Sequence, residues 1–351
     1  MATQTRWILK SVPGGGGGEG GDALGSGNAE SGKLPGYKKP APTDFEAVTE
    51  PMPTEDQLSD GEVLYKHQYL SPDPYVAAYC MGEGFVGKTI TAGAAGVVLA
   101  SKSDKFQKGD YCVGNGGAAE ASILHGDKLR KISSEEGSAV PFDPAQIPIS
   151  AACGILGMPG ATSYFATRDN LGADLAGQTI VVTGAVGAVG SAAGQLAKIF
   201  GAAKVIGFAG SDAKCATGKE KYGFDVMLNY KTADVGAELD AFSPIHGFFD
   251  NTGGPVALAV KARMIDGGRV AKVGDIAGPD GYESDARLKI AGFYAGGCLE
   301  KWPEAIRALS GYIAEGKLKY DETIEEGIDK FPAAFIGMMS GKNEGKMVVK
   351  V

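Results

Sequence analysis

Histidine is nearly missing from this chain: three in 351 residues, His67, His125 and His246. The five cysteines, Cys80, Cys112, Cys153, Cys215 and Cys298, are far apart, and no two stand at CxxC spacing. Zinc needs three or four nitrogen or sulfur ligands in recognisable spacing, and no histidine here has a cysteine or glutamate placed to complete such a set. No metal site is expected, and the three histidines read as surface or packing residues. An odd number of scattered cysteines makes a poor disulfide framework and points to a reducing, cytoplasmic setting. No apolar run approaches the ~20 residues that span a bilayer, and the first ten residues lack the apolar stretch of a secretory signal, so no membrane association is expected. No Gly-x-Ser-x-Gly elbow precedes a helix pattern, which leaves a serine hydrolase unsupported. A net charge of −8 argues against a nucleic-acid partner, though not against a local basic pocket.

What the chain has in abundance is glycine, 55 residues, and their placement is informative. Ile180, Val181, Val182 and Thr183 form a short β-branched run suited to a buried parallel strand. Gly184, Gly187 and Gly190 follow at i, i+3 and i+6, with Ala188 and Val189 between them. From Val189 onward Ala192, Ala193, Leu196 and Phe200 recur at helical spacing on one face. Strand, tight turn and helix in this order let backbone pass close to a bound group and aim a helix N-terminus at it. A second run, Val205 to Phe208 in sequence, completes a βαβ unit of about the ~30 residues expected of a dinucleotide site.

The rest of the chain falls into three stretches. After a first strand at Trp7, Ile8, Leu9 and Lys10, residues 13–36 are dominated by Gly, Ser and Asn, a composition that cannot bury enough apolar surface to offset the entropy of ordering; a mobile surface loop is expected there. Short β-rich runs broken by turns follow to about residue 131 and read as a compact, mostly antiparallel β domain. Helical patterns are expected over 151–157 and 160–167, with Gly160 opening the second. Strand and helix then alternate, with strands expected at 180–183, 205–208, 247–250, 269–273 and 288–293, as in a doubly wound parallel α/β sheet. An amphipathic helix carries Ala305, Ile306, Leu309, Tyr312 and Ile313, and the final strand, Met347 to Val351 in sequence, has no place in that sheet and is expected to return to the β domain.

Cofactor choice turns on the end of the second strand, where an acid binds the ribose hydroxyl of NAD and a base the 2′-phosphate of NADP. Gly207, Phe208, Ala209, Gly210 and Ser211 offer no acid at the strand end itself, while Asp212 and Lys214 lie just beyond. Ser211, Lys214 and Tyr230 would make a phosphate pocket and favour NADPH; in the plainer alternative Asp212 caps the next helix, Lys214 is solvated and either cofactor fits.

These residues also carry a resemblance. The 180–198 stretch, Gly210-Ser211-Asp212-Ala213-Lys214, Asn229-Tyr230-Lys231-Thr232 and Phe249-Asp250-Asn251-Thr252-Gly253-Gly254 resemble the medium-chain dehydrogenase/reductase superfamily. Within it the match is to the zinc-independent prostaglandin reductase (leukotriene B4 12-hydroxydehydrogenase) and alkenal double-bond reductase branch. Leu70-Ser71-Pro72-Asp73-Pro74-Tyr75, Leu156-Gly157-Met158-Pro159-Gly160 and Gly341-Lys342-Asn343-Glu344-Gly345-Lys346 extend it over nearly the whole chain outside 13–36. The resemblance implies a GroES-like domain over 1–157, a Rossmann NADP-binding domain over 158–300 and a return of 301–351 to the first. It implies a homodimer, and NADPH-dependent reduction of the carbon–carbon double bond of α,β-unsaturated aldehydes and ketones. By residue, it implies that Lys214 and Tyr230 hold the 2′-phosphate, that Asn251 and Asn343 contact the nicotinamide half, and that Met158 and Thr162 lie beside the cofactor. The family's tyrosine donor follows a turn that matches Gly274-Asp275-Ile276-Ala277, but in ungapped register it falls on Pro279; Tyr282 matches with a three-residue shift, and Tyr75 and Tyr294 are further candidates. A quinone reductase, an enoyl-thioester reductase and a non-catalytic NADPH-binding module are the alternatives.

Overall fold

The computed structural model describes residues 2–14, 39–278 and 285–351. The glycine-rich insertion expected to be mobile lies, from residue 15 on, outside the described residues, and so does Tyr282. The chain forms two bodies, one of Met1–Gly154, Glu322–Asn343 and Met347–Val351, the other of Ile155–Asp321 and Glu344–Lys346.

The first body is antiparallel. Strands β1 (Thr3–Leu9) and β2 (Phe45–Pro51) form a two-stranded ribbon. Its larger sheet is centred on β3 (Glu62–Ser71), a ten-residue strand followed by the short helix α1 (Pro74–Tyr79). Antiparallel partners are β4 (Gly93–Ser101) and β6 (Ala121–His125), while β5 (Tyr111–Gly114) and β7 (Leu129–Ile132) extend the β4 side. Val63, Tyr65 and Leu70 of β3 are wholly buried, and so is His67. His67 is thus a packing residue with both ring nitrogens occupied: Nδ1 donates to the Ala119 carbonyl at 2.8 Å and Nε2 accepts from the Ser122 hydroxyl at 3.0 Å.

The expected helix over 151–157 does not form. Its residues make a short 3-10 helix, Ile149–Cys153, that stops because Gly154 (φ −131°, ψ −110°) and Gly157 (φ −134°, ψ −146°) leave helical space. A run this short has little to offset the cost of nucleating an α-helix. The next helix, α2, opens at Met158 rather than Gly160 and runs Met158–Phe165, with Pro159 in its first turn where a missing N–H costs nothing; the backbone then widens into a π-turn over Ala166–Leu171. Gly160 serves contact instead: a Cβ there would sit 1.7 Å from the Ile155 carbonyl oxygen.

The second body is a parallel sheet of six strands: β8 (Thr179–Val182), β9 (Lys204–Ala209), β10 (Val226–Asn229), β11 (Ile245–Asp250), β12 (Met264–Lys272) and β13 (Lys289–Gly292), with helices α3 (Gly190–Ile199), α4 (Asp212–Glu220), α5 (Val235–Asp240) and α6 (Gly254–Lys261) between them. Period-2 alternation sends Ile180, Val182, Val205 and Phe249 into one core and Val181, Ile206, Phe248 and Val270 into the other. Both faces are therefore covered, which is why these strands read as continuous apolar runs. Truncating Phe248 or Phe249 to Ala, both fully buried, costs about 3–5 kcal/mol by the usual cavity cost. Spatial order is β10-β9-β8-β11-β12-β13. The chain moves outward from β8 to β10, then returns to place β11 on the other side of β8, so a crevice opens at the carboxyl ends of β8 and β11.

Helix α7 (Trp302–Ala314) buries Trp302, Ala305, Ile306 and Leu309, the i, i+3, i+4, i+7 stripe, and packs on α2. The chain ends with β14 (Glu322–Glu326), α8 (Phe331–Met339) and β15 (Lys346–Lys350), and Val349 and Lys350 of β15 pair antiparallel with Leu70 and Tyr69 of β3.

Candidate functional site

The crevice is built from three turns of the second body. Directly after β8 the backbone turns at Gly184 (φ +61°), a left-handed conformation that disfavours any side chain. Gly190 then passes so close that a Cβ on it would lie 2.3 Å from the Gly184 carbonyl oxygen. The turn is held by the Gly187 N–H donating to the Gly184 carbonyl (2.9 Å) and the Ala185 N–H donating to Phe208 (3.0 Å). Its far side is braced by the Gly345 N–H, which donates to the Val186 carbonyl at 2.8 Å. Helix α3 begins at Gly190 with no side-chain cap; the Ser191 N–H donates to the Gly187 carbonyl at 3.0 Å, and the helix start carries a partial positive charge beside the glycine turn. That is the arrangement a pyrophosphate requires. Gly184, Gly187, Ala188, Val189 and Gly190 all lie in it, and α2, which carries Met158 and Thr162, is tied to it by the Ser163 hydroxyl, which donates to the Val189 carbonyl at 2.9 Å. Thr162 itself donates to the Met158 carbonyl at 2.7 Å.

The second turn follows β11. Asp250, fully buried, accepts from the Thr183 hydroxyl and from the N–H groups of Thr252 and Gly253, each at 3.0 Å. Asn251 is tied to the same threonine twice: its backbone N–H donates to Thr183 Oγ1 (2.9 Å) and its Nδ2 donates to the Thr183 carbonyl (2.7 Å). The two strand ends meet, and a Cβ on Gly184 would lie 3.6 Å from Asn251 Cβ.

The third turn, after β9, carries Ser211, Lys214 and Tyr230. Ser211 is the N-cap of α4, its Oγ accepting from the Lys214 N–H at 3.3 Å while its own O–H stays available to donate. Asp212 is not the cap: its carboxylate accepts from Asn229 Nδ2 at 2.8 Å. Lys214 is not a solvated surface lysine either. Burial pulls its pKa below the ordinary lysine range, Glu344 opposes that shift, and Lys231 adds to it. Glu344 lies on the same helix face, accepting from Thr217 Oγ1 at 3.3 Å. Tyr230 is 46% exposed; a Cβ on Gly210 would approach its hydroxyl to 2.9 Å and Lys231 Cε to 3.4 Å, so only glycine lets both side chains close over this turn.

Sequence reasoning missed Thr183, Asp250, Ser163, Lys231 and Glu344. Asp250, Lys231 and Glu344 stand inside the motifs that carry the resemblance, next to the residues singled out; the neighbourhood of Glu344 with Lys214 is made only by the fold. Two candidates belong to the first body: Tyr75 on α1, and Asn343 in the turn between α8 and β15. Tyr294, after β13, is 74% exposed. Tyr282 lies outside the described residues. Among the described residues no group of three or more His, Cys, Asp or Glu is placed to hold a metal ion.

Comparison with known proteins shows the family and the fold. A family model described as the N-terminal domain of oxidoreductase matches residues 37–132, and one described as zinc-binding dehydrogenase matches residues 188–311. Prostaglandin reductase 1 of Sus scrofa is 38% identical over 330 residues, covering 89% of this chain and 95% of that protein. The 2-alkenal reductase (NADP(+)-dependent) of Nicotiana tabacum is 33% identical over 337 residues, covering 90% and 94%. The solved structure of CurA from Vibrio vulnificus in complex with NADPH superposes with a TM-score of 0.79 at 28% identity over 99% of both chains.

Proposed function

This chain belongs to the prostaglandin reductase and alkenal double-bond reductase branch of the medium-chain dehydrogenase/reductase superfamily, and we propose that it uses NADPH to reduce the carbon–carbon double bond of α,β-unsaturated aldehydes and ketones. The observation that supports the cofactor choice is the turn after β9, where Ser211 caps α4, Lys214 is half-buried beside Lys231, and the acid that follows the strand, Asp212, is turned to Asn229. A 2′-phosphate suits that turn and a ribose hydroxyl does not. In this reading the glycine turn and the α3 N-terminus take the pyrophosphate, and Asn251, Met158 and Thr162 take the nicotinamide half; Asn343, which belongs to the first body, is assigned to that half by the resemblance alone.

When bound, NADPH supplies a hydride from C4 of its nicotinamide to the β-carbon of the enone. The chain's own contribution is orientation and a hydrogen-bond donor for the carbonyl oxygen, on which negative charge grows as the hydride arrives. Such a donor contributes on the order of 3 kcal/mol to the transition state. We assign that role to Tyr282, with Tyr75 and Tyr294 the other tyrosines to be tested. A proton at the α-carbon completes the reduction. In the same reading the enzyme is a cytoplasmic homodimer; all five cysteines are free, and among the described residues no helix is long and apolar enough to cross a membrane.

The test is NADPH consumption with a 2-alkenal, a long-chain enone, a quinone and an enoyl thioester, each repeated with NADH. Fast turnover of alkenal or enone with NADPH preferred is expected. Turnover of the quinone alone would replace the double-bond reading by a quinone reductase, and tight NADPH binding without turnover would leave a binding module.

A further inference from the structure

A polar knot ties β8 to β11 at the crevice. A fully buried carboxylate is costly to desolvate and persists only where donors surround it. Asp250 meets three such donors, and one of them, Thr183, is itself buried, at 1% exposure. Thr183 uses its whole hydroxyl: the O–H goes to Asp250 and the oxygen receives the Asn251 N–H. Its carbonyl, which can only accept, receives the Asn251 side chain and therefore selects the amide nitrogen. That choice fixes the amide's rotation, with Nδ2 inward on Thr183 and Oδ1 on the opposite side.

We propose that Thr183 and Asp250 are positioning residues: they lock the Asn251 carboxamide in one orientation, so that it offers an oxygen acceptor to the amide group of the bound nicotinamide. The inference rests on the NADPH reading above, and it goes beyond it by assigning the selection of the nicotinamide's rotamer to two residues that need not touch the cofactor. A carboxamide free to flip presents nitrogen to nitrogen half the time; a locked one always presents the acceptor. The same knot sets the Thr252 and Gly253 N–H groups, and with them the start of α6, so the lock is anchored in both the strand and the helix that follow one another at the crevice.

Isothermal titration with two probes separates this role from a general structural one. NADP+ carries the nicotinamide, whereas 2′,5′-ADP carries only the adenosine and phosphates and reports on the Ser211–Lys214–Tyr230 turn. Thr183→Val keeps the side-chain shape and removes the hydroxyl. NADP+ binding is expected to weaken about tenfold, as befits one lost hydrogen-bonded arrangement, and 2′,5′-ADP to stay within about twofold. Thr183→Ser, which restores the hydroxyl, is expected to bind NADP+ as the wild type does. Equal weakening of both probes, or no weakening of NADP+, would overturn the proposal. If the valine variant does not fold, as judged by its melting transition, Asp250→Asn is put to the same pair of probes and must show the same one-sided loss. A wild-type chain that binds neither probe removes the NADPH reading itself, an outcome distinct from a uniform response among variants.

Discussion

Replacing Lys214 by Gln tests the cofactor assignment most directly. The ammonium lies half-buried beside α4, where water screens a phosphate contact less than at the surface. A charge-assisted hydrogen bond of this kind contributes about 1.5–3 kcal/mol. Two neighbours temper that figure. Lys231, across the Gly210 turn, keeps one positive charge in place after the substitution, and Glu344 already offsets part of the Lys214 charge. The lower part of the range therefore applies: about 2 kcal/mol, or roughly thirtyfold in Kd for NADPH. NADH lacks the phosphate, so its kcat/KM is expected to change little. The assay is kcat/KM for both cofactors with one enone, across neutral to alkaline pH. Phosphate binding needs the protonated ammonium, and burial lowers its pKa, so wild-type NADPH affinity is retained below that pKa and lost as pH rises through it, earlier than an ordinary lysine would allow. Lys214→Gln should remove this alkaline loss. Parallel changes with NADPH and NADH, or an unaltered NADPH value, would refute the argument.

Tyr282→Phe is expected to lower kcat tenfold or more with KM for NADPH unchanged; equal turnover would remove Tyr282 from the mechanism and direct the same substitution to Tyr75 and Tyr294. Gly190→Ala forces a Cβ to 2.3 Å from the Gly184 carbonyl oxygen, and should cost about 1–3 kcal/mol in urea unfolding together with NADPH affinity. Full stability would show that the turn relaxes. His67 makes stability depend on acid: burial holds its pKa at about 4, against 6.5 for an unhindered imidazole. The unfolded chain takes up the proton first, so stability is whole above about pH 6.5 and falls as pH drops towards 4, by on the order of 3 kcal/mol. Urea midpoints over that window should fall less steeply in His67→Gln, and an identical slope would assign the acid sensitivity to other groups.

Much of the second body was legible because each strand there is buried on both faces and announces itself as an apolar run, and because a strand, a glycine turn and a helix in succession leave few alternatives. The helix expected over 151–157 shows the limit. Its composition suits a helix, but Gly154 and Gly157 adopt backbone angles that no propensity scale anticipates. Asp212 shows another: its position just before a helix suggests a cap, and the neighbouring Ser211 takes that role because Asn229, from β10, claims the carboxylate. Lys214 and Tyr230 are singled out by motif and chemistry together, and their role as phosphate ligands is a proposal. Thr183, Asp250 and Glu344 act through partners far away in the chain, and a single sequence carries no record of such pairs.

The route of the chain through its two bodies sets an order of synthesis. By Asp321 every strand of the parallel sheet has been made, and the sequence separations it must close are short steps from one βαβ unit to the next. The antiparallel body is different. Its strand β3 is made early and waits for β15, whose Val349 and Lys350 pair with Leu70 and Tyr69 and are made after the whole parallel sheet. On the ribosome the parallel sheet can therefore be formed while the other body still exposes an unpaired stretch of β3. The same late stretch delivers Gly345 to the Val186 carbonyl, so the glycine turn after β8 receives its brace only after the parallel sheet has been made.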